Sequence, residues 1–117
     1  MIRGIGVDIS SPERFEGMGE KLLSRLFTPE ELRKAPVRSS EYFAARFAAK
    51  EAFAKALGTG IKGFSLTEIE ISEDENGKPF FILSGRASEK AEGLRFHLSM
   101  SHEKEAAVAM VVAEDAY

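Results

Sequence analysis

From the second residue onward, apolar and polar positions alternate. Ile5, Val7 and Ile9 fall on one side of an extended segment, with Gly4, Gly6, Asp8 and Ser10 on the other, the period-2 pattern of a half-buried strand. Asp8 therefore projects from a glycine-rich side. Ser10-Ser11-Pro12-Glu13 combines a capping serine, a proline tolerated in a first turn and an early acid, which predicts a short helix carrying Arg14 and ending near Gly17 and Gly19. Thr28-Pro29-Glu30-Glu31 is a stronger start signal: the threonine can accept the Glu31 amide while Glu31 reaches back to the Thr28 amide. Pro36 holds that helix to roughly two turns.

After Ser39 or Ser40 the pattern changes to a long alanine-rich run from Tyr42 to Leu57, halted by Gly58, and this predicts the principal helix. In the second half the period returns to two. Residues 64–72 and 79–83 read as strands joined by a turn at Asn76-Gly77. Residues 86–92 read as a short helix ended by Gly93. Leu94, Phe96, Leu98 and Met100 alternate with Arg95, His97, Ser99 and Ser101 in a strand with one apolar face. The apolar run 106–113 reads as a well-buried strand. No repeat, linker or low-complexity segment interrupts the chain, and residues 1–117 read as one domain.

Composition narrows the function classes. Hydrophobic residues at 44% and charged residues at 30% suit a globular protein. A net charge of −3 supplies no global field for nucleic acid or anionic lipid, so neither nucleic acid nor membrane is an expected partner. The absence of cysteine removes disulfides, thiolate zinc sites and a cysteine nucleophile, leaving metal binding to carboxylates or histidine. An acid as early as Asp8 and the lack of a bilayer-length apolar run make the cytoplasm the expected compartment.

On a helical wheel Phe43, Phe47, Ala54 and Leu57 share an apolar arc that also contains Lys50. Two readings of Lys50 follow: a lysine stem covering apolar surface with its ammonium in water, or an ammonium beside a bound phosphate. Glu51 with Lys55 forms an ordinary i to i+4 pair. Asp8, among glycines, is either a turn residue or one of two hard oxygen donors which, with Glu51, would suit magnesium. Gly58-Thr59-Gly60 is a helix C-cap and turn whose glycines permit close approach of a ligand. His97 and His102 lack zinc spacing, and Ser101-His102 is not a nucleophile and base, because adjacent residues of an extended chain point apart.

Three ordered blocks, Gly4-Ile5-Gly6-Val7-Asp8-Ile9, the run from Arg46 to Ala56, and Ser99-Met100-Ser101-His102, together resemble the small 4′-phosphopantetheinyl transferases of the holo-acyl-carrier-protein synthase type. Gly58-Thr59-Gly60-Ile61 and Asn76-Gly77-Lys78-Pro79 extend the resemblance over nearly the whole chain. It implies an α+β fold with a long helix packed on an antiparallel sheet, and a homotrimer with active sites at the subunit interfaces. It further implies transfer of 4′-phosphopantetheine from coenzyme A to a serine of an apo acyl carrier protein, with magnesium, releasing 3′,5′-ADP and serving fatty acid biosynthesis. By the family pattern Asp8 and Glu51 match the magnesium ligands, Lys55 a lysine at the pyrophosphate, and Arg14 a basic residue facing the acidic carrier; an acidic partner for this acidic chain would further require Lys21, Arg25 and Arg33 to join Arg14 in a local basic patch. Arg46, Lys50, Pro79, His102 and the Gly58, Thr59 and Gly60 turn would surround coenzyme A. The serine's proton would pass to Glu51 directly or through a water on the cation. A coenzyme A or nucleotide binding module without turnover, and a magnesium-dependent phosphohydrolase, stay open as alternatives.

Overall fold

The structure is a computed structural model that describes residues 1–117. In chain order its elements are β1 (Ile2–Ser10), a 3-10 turn (Pro12–Phe15), α1 (Glu20–Leu26), α2 (Pro29–Lys34), α3 (Ser40–Leu57), a second 3-10 turn (Leu66–Glu68), β2 (Ile69–Glu73), β3 (Pro79–Leu83), α4 (Gly85–Lys90), β4 (Leu94–His102) and β5 (Ala107–Asp115). Strands β1, β5 and β4 form an antiparallel sheet in that order, and β2 and β3 form a separate hairpin. The hairpin turns where expected. Gly77 takes a left-handed φ of 80°, while Asp74 Oδ1 accepts the amides of Asn76 and Lys78 at 2.8 and 2.9 Å.

Helix α3 runs through the middle of these layers and is buried on nearly every side rather than along one stripe. Alanine makes this possible. Ala48, Ala49, Ala52 and Ala56 meet Ala109, Val111 and Ala113 of the sheet, small against small, so the backbones approach closely. At its start Phe43 stacks on Phe27 with ring centroids 4.7 Å apart, and near its end Phe53 lies 4.7 Å from Phe96. Gly58, at φ 82°, ends the helix as predicted.

Strand β1 is half-buried with its sides reversed relative to hydrophobicity. The glycine side faces α3: a Cβ added to Gly4 or Gly6 would lie 1.9 Å from the carbonyl oxygen of Ala56 or Ala52, respectively. No side chain fits there. Ile5, Val7 and Ile9 consequently point outward, 62%, 54% and 70% exposed. Strand β5 is also half-buried, not fully buried as its composition suggests. Ala107, Ala109, Val111 and Ala113 face α3, whereas Val108 and Met110 are exposed. Through the ladder pairs Ile5–Val112, Val7–Met110 and Ile9–Val108, these residues make one apolar strip on the outer sheet face.

Two local expectations are corrected, and one element is added. The segment after Pro12 is a single 3-10 turn, closed by the Arg14 amide to Ser11 O at 3.1 Å. Residues 64–68 are not strand: the Glu68 amide returns to Ser65 O at 3.0 Å, Ser65 and Thr67 hydroxyls pair at 3.0 Å, and β2 starts only at Ile69. Helix α1, which carries no capping side chain, has no counterpart in the sequence reading. It rests Leu23 and Leu26 against Phe15, Phe27 and Phe43.

Replacing Gly6 with alanine should therefore force β1 off α3. We expect Gly6→Ala to lose about 3 kcal/mol or more in urea unfolding, the upper range for overpacking a core; an unchanged midpoint would contradict the close approach.

Candidate active site

The glycines that bring β1 onto α3 also fix where Asp8 goes. It continues the inward side of the strand to the rim of the contact, and its side chain is 19% exposed. There Lys55, in the last turn of α3, donates from Nζ to Asp8 Oδ1 at 3.2 Å and to Val7 O at 2.9 Å. Glu51 stands one turn earlier on the same helix. Burial pushes its carboxyl above the usual glutamate range, the charge of Asp8 pushes it further, and Lys55 and Arg14 pull it back. Arg14 reaches this neighbourhood from the 3-10 turn, with its guanidinium 5.0 Å from the Phe47 ring centre. Two acids and two bases from three elements thus share one partly buried rim.

Like charge beside Glu51, together with partial burial, is the setting in which a carboxylate prefers a proton or a cation. Two hard oxygen donors fit magnesium, which takes its other ligands from water and substrate phosphates. No third acid, histidine or cysteine joins them.

A second group lies at the opposite end of α3. A groove of about 420 Å³ is walled by Lys34, Arg38, Glu41, Tyr42, Arg46, Glu73 and His102 among others. Arg46 lies over the Tyr42 ring, 3.7 Å from its centre, and donates from Nη2 to Glu73 Oε1 at 2.9 Å. Its buried Nε has no partner. His102 Nδ1 and Glu41 Oε1 are 2.7 Å apart. Pro79 is the ladder partner of Glu73 and so stands beside this groove.

Within one chain the residues expected around coenzyme A are not gathered in one place. Arg46 and Gly58 are separated by roughly 18 Å along α3, and Gly58, Thr59 and Gly60 form an exposed turn at the far end. Sequence reasoning missed Lys34, Arg38, Glu41, Tyr42 and Glu73, because nothing local relates Arg46 to a strand residue 27 positions later.

Lys50 requires a correction. It is completely buried, and its ammonium donates to Leu26 O at 2.7 Å, Glu31 Oε1 at 2.6 Å and Leu66 O at 3.1 Å. Neither water nor a phosphate reaches it. Burial lowers its pKa and the attraction of Glu31 opposes that shift. Glu31 holds the centre of the cluster: Oε1 also accepts the Thr28 amide at 2.9 Å, completing the capping box, and Oε2 accepts the Ile71 amide at 2.9 Å. The inward turn of Leu66 O toward Lys50 accounts for the missing start of the expected strand. Arg33 pairs with Glu30 on its own helix, which removes it from a patch of free cations.

The pattern of the 4′-phosphopantetheinyl transferase superfamily matches residues 4–111. The chain belongs to this superfamily. Among the transferases it resembles is the holo-[acyl-carrier-protein] synthase of Halothermothrix orenii, 45% identical with 98% of this chain and 99% of the relative covered. The crystal structure of the Neisseria meningitidis holo-[acyl-carrier-protein] synthase superposes with a TM-score of 0.87 at 45% identity, covering 98% of this chain and all of that one (100%). The Bacillus anthracis synthase, solved in complex with CoA (3′,5′-ADP), gives 0.84 at 44% identity over 99% of both chains. The mixed α+β fold with antiparallel sheets is thus the fold of these transferases.

If Lys50 is a core residue, its loss shows in stability before chemistry. Lys50→Met leaves Glu31 buried without its counter-charge and should cost about 3–5 kcal/mol in denaturant unfolding, with the KM for coenzyme A unchanged wherever the protein stays folded. A raised KM at unchanged stability would restore the phosphate contact.

Proposed function

We propose that this chain transfers the 4′-phosphopantetheine group of coenzyme A to a serine of an apo acyl carrier protein, with magnesium, releasing 3′,5′-ADP and giving the holo carrier used in fatty acid biosynthesis. The observation that carries the proposal is the shared rim, where β1 supplies Asp8 and α3 supplies Glu51 and Lys55. Membership of the transferase superfamily and the solved relative in complex with CoA (3′,5′-ADP) support it.

In the reaction the carrier serine oxygen bonds to the phosphorus bearing the pantetheine arm, and the bond from that phosphorus to the bridging oxygen of the diphosphate breaks. Both electrons of the broken bond leave with 3′,5′-ADP. Magnesium, held by Asp8 and Glu51, would supply positive charge against the diphosphate. Lys55, half-exposed and tethered by two hydrogen bonds at the strand edge, is placed to exchange its contact with Asp8 for one with the departing phosphate. Glu51 is our candidate to take the serine proton, directly or through an intervening water. Arg14, held over Phe47, is assigned to the acidic carrier, together with Lys21 and Arg25. Arg46 and His102 are assigned to a phosphate of the nucleotide half, with Pro79 and the Gly58, Thr59 and Gly60 turn as further coenzyme A contacts.

These assignments need more than one copy of the chain, since the rim and the groove lie on separate parts of the monomer. The outer strip of Ile5, Val7, Ile9, Val108 and Met110 offers the surface, a contiguous exposed apolar face of the kind that marks an interaction site. A homotrimer through this face, with each site completed by a neighbour, is our reading of the assembly. No helix is long and apolar enough to cross a membrane, and a cytoplasmic location is part of the same proposal.

Incubation with coenzyme A, magnesium and apo carrier protein should raise the carrier's mass by one phosphopantetheine. Asp8→Ala and Glu51→Gln should each lower kcat by about a hundredfold or more, while Arg14→Ala should raise the KM for carrier. Phosphate release without a carrier would favour the hydrolase, and coenzyme A binding without mass transfer would favour a binding module. Stability should move the other way. A carboxyl with a raised folded pKa favours the native state at low pH, and this advantage disappears as pH rises from the ordinary glutamate value through the raised one. At neutral pH without metal, Glu51→Gln should therefore melt above the wild type. Magnesium should raise the wild-type Tm and leave the variant's unchanged; a fall in Tm for the metal-free variant would contradict the strained acid pair.

Light scattering should return a mass near three times the 12.9 kDa chain, reduced by Val7→Glu, which puts a charge in the middle of the apolar strip. A monomeric wild type would sink the trimer.

A further inference from the structure

The groove at the start of α3 brings cationic side chains together with acids. Lys34, Arg38 and Arg46 are cationic, and Glu41 and Glu73 stand among them. The acids are not idle. Glu73, half-exposed at the end of β2, takes Nη2 of Arg46 at 2.9 Å, and Glu41 takes His102 at 2.7 Å. The two groups assigned to the nucleotide phosphate are thus each engaged by a carboxylate in the free protein.

Arg46 does not need Glu73 to hold its place. Its guanidinium carbon lies over the Tyr42 ring, 3.7 Å from the ring centre, and its side chain is only 12% exposed. Stacking on an aromatic face fixes a planar guanidinium while leaving its edge N–H groups free. Nε, buried and without an acceptor, is shut off from an arriving ligand, which would meet the Nη2 that Glu73 now holds. A phosphate arriving at this edge meets the Glu73 carboxylate at close range and has to displace it or bear its repulsion.

We propose that Glu73 is an affinity-setting residue: its carboxylate stands in for the nucleotide phosphate on Arg46 in the free protein and competes with that phosphate in the complex, which keeps 3′,5′-ADP from being held too tightly to leave. This rests on the reading of the groove as the nucleotide-phosphate site. A transferase whose leaving group keeps the nucleotide-half phosphates of its donor faces such a difficulty, because a contact to one of those phosphates that captures the donor also retains the product. A carboxylate that returns to Arg46 supplies an internal replacement for the departing anion.

The sign of one substitution separates this role from a positioning role. Glu73→Gln keeps a hydrogen-bond acceptor for Arg46 and removes the charge. In calorimetric titration of the full chain with 3′,5′-ADP and magnesium at low salt, we expect Glu73→Gln to bind about three- to tenfold tighter than the wild type, with the difference shrinking as salt is added. The variant should also show a lower inhibition constant for 3′,5′-ADP in the transfer assay. If Glu73 instead positions Arg46, or does nothing, the variant binds more weakly or equally, and the proposal is overturned. Arg46→Ala is the control on the groove itself. Weaker 3′,5′-ADP binding in that variant keeps the groove as the phosphate site whatever Glu73→Gln does, whereas unchanged binding removes the site and the proposal with it.

Discussion

The contact between the backbone of β1 and the backbone of α3 governs the rest of this molecule. Two carbonyl oxygens of the helix occupy the space where side chains of the strand would stand, so only hydrogen can be carried at positions 4 and 6. From that single constraint come the depth of Asp8, its reach to Lys55, and the outward turn of every branched residue of the strand. Alanine on the helix is the other half of the contact, since Ala52 and Ala56 present backbone rather than bulk to the sheet.

A second constraint holds the opposite flank. Glu31 and Lys50 connect α2, α3, the end of α1, the 3-10 turn before β2 and β2 itself through one buried acid and one buried ammonium. Such a pair adds little net stability over a well-packed apolar alternative, but breaking it is costly. Its geometry is demanding, since each donor and acceptor has an assigned partner. The neighbouring residue, Glu51, faces the rim shared with Asp8 and Lys55, so consecutive positions on one helix point into the core and toward the candidate site.

Sequence legibility followed the range of the interactions. The capping box at Thr28, the Gly58 stop and the Asn76-Gly77 turn are local chemistry and could be read directly. The alternation of β1 was equally plain, but its orientation was not, because hydrophobicity pointed Ile5, Val7 and Ile9 inward while steric fit pointed Gly4 and Gly6 inward. Steric fit wins there. Lys50 defeated the wheel for a related reason: an arc analysis assumes one apolar side and water beyond it, and α3 has almost no water side. The groove around Arg46 was invisible because its parts are far apart in sequence, and α1 because seven residues without a cap leave little pattern. Asp8, Glu51 and Lys55 stood out by resemblance, and their proximity is what folding adds.

The burial of α3 on nearly all sides has a dynamic meaning. A helix at the surface can open a turn while its neighbours stay folded, but the middle of α3 has sheet, hairpin and aromatic cluster against it at once. Opening it exposes most of the core, so its local opening free energy approaches that of the whole domain. The turn bearing Glu51 therefore belongs to the least labile part of the chain, and adaptation to arriving substrates falls to the exposed loops and side chains around it.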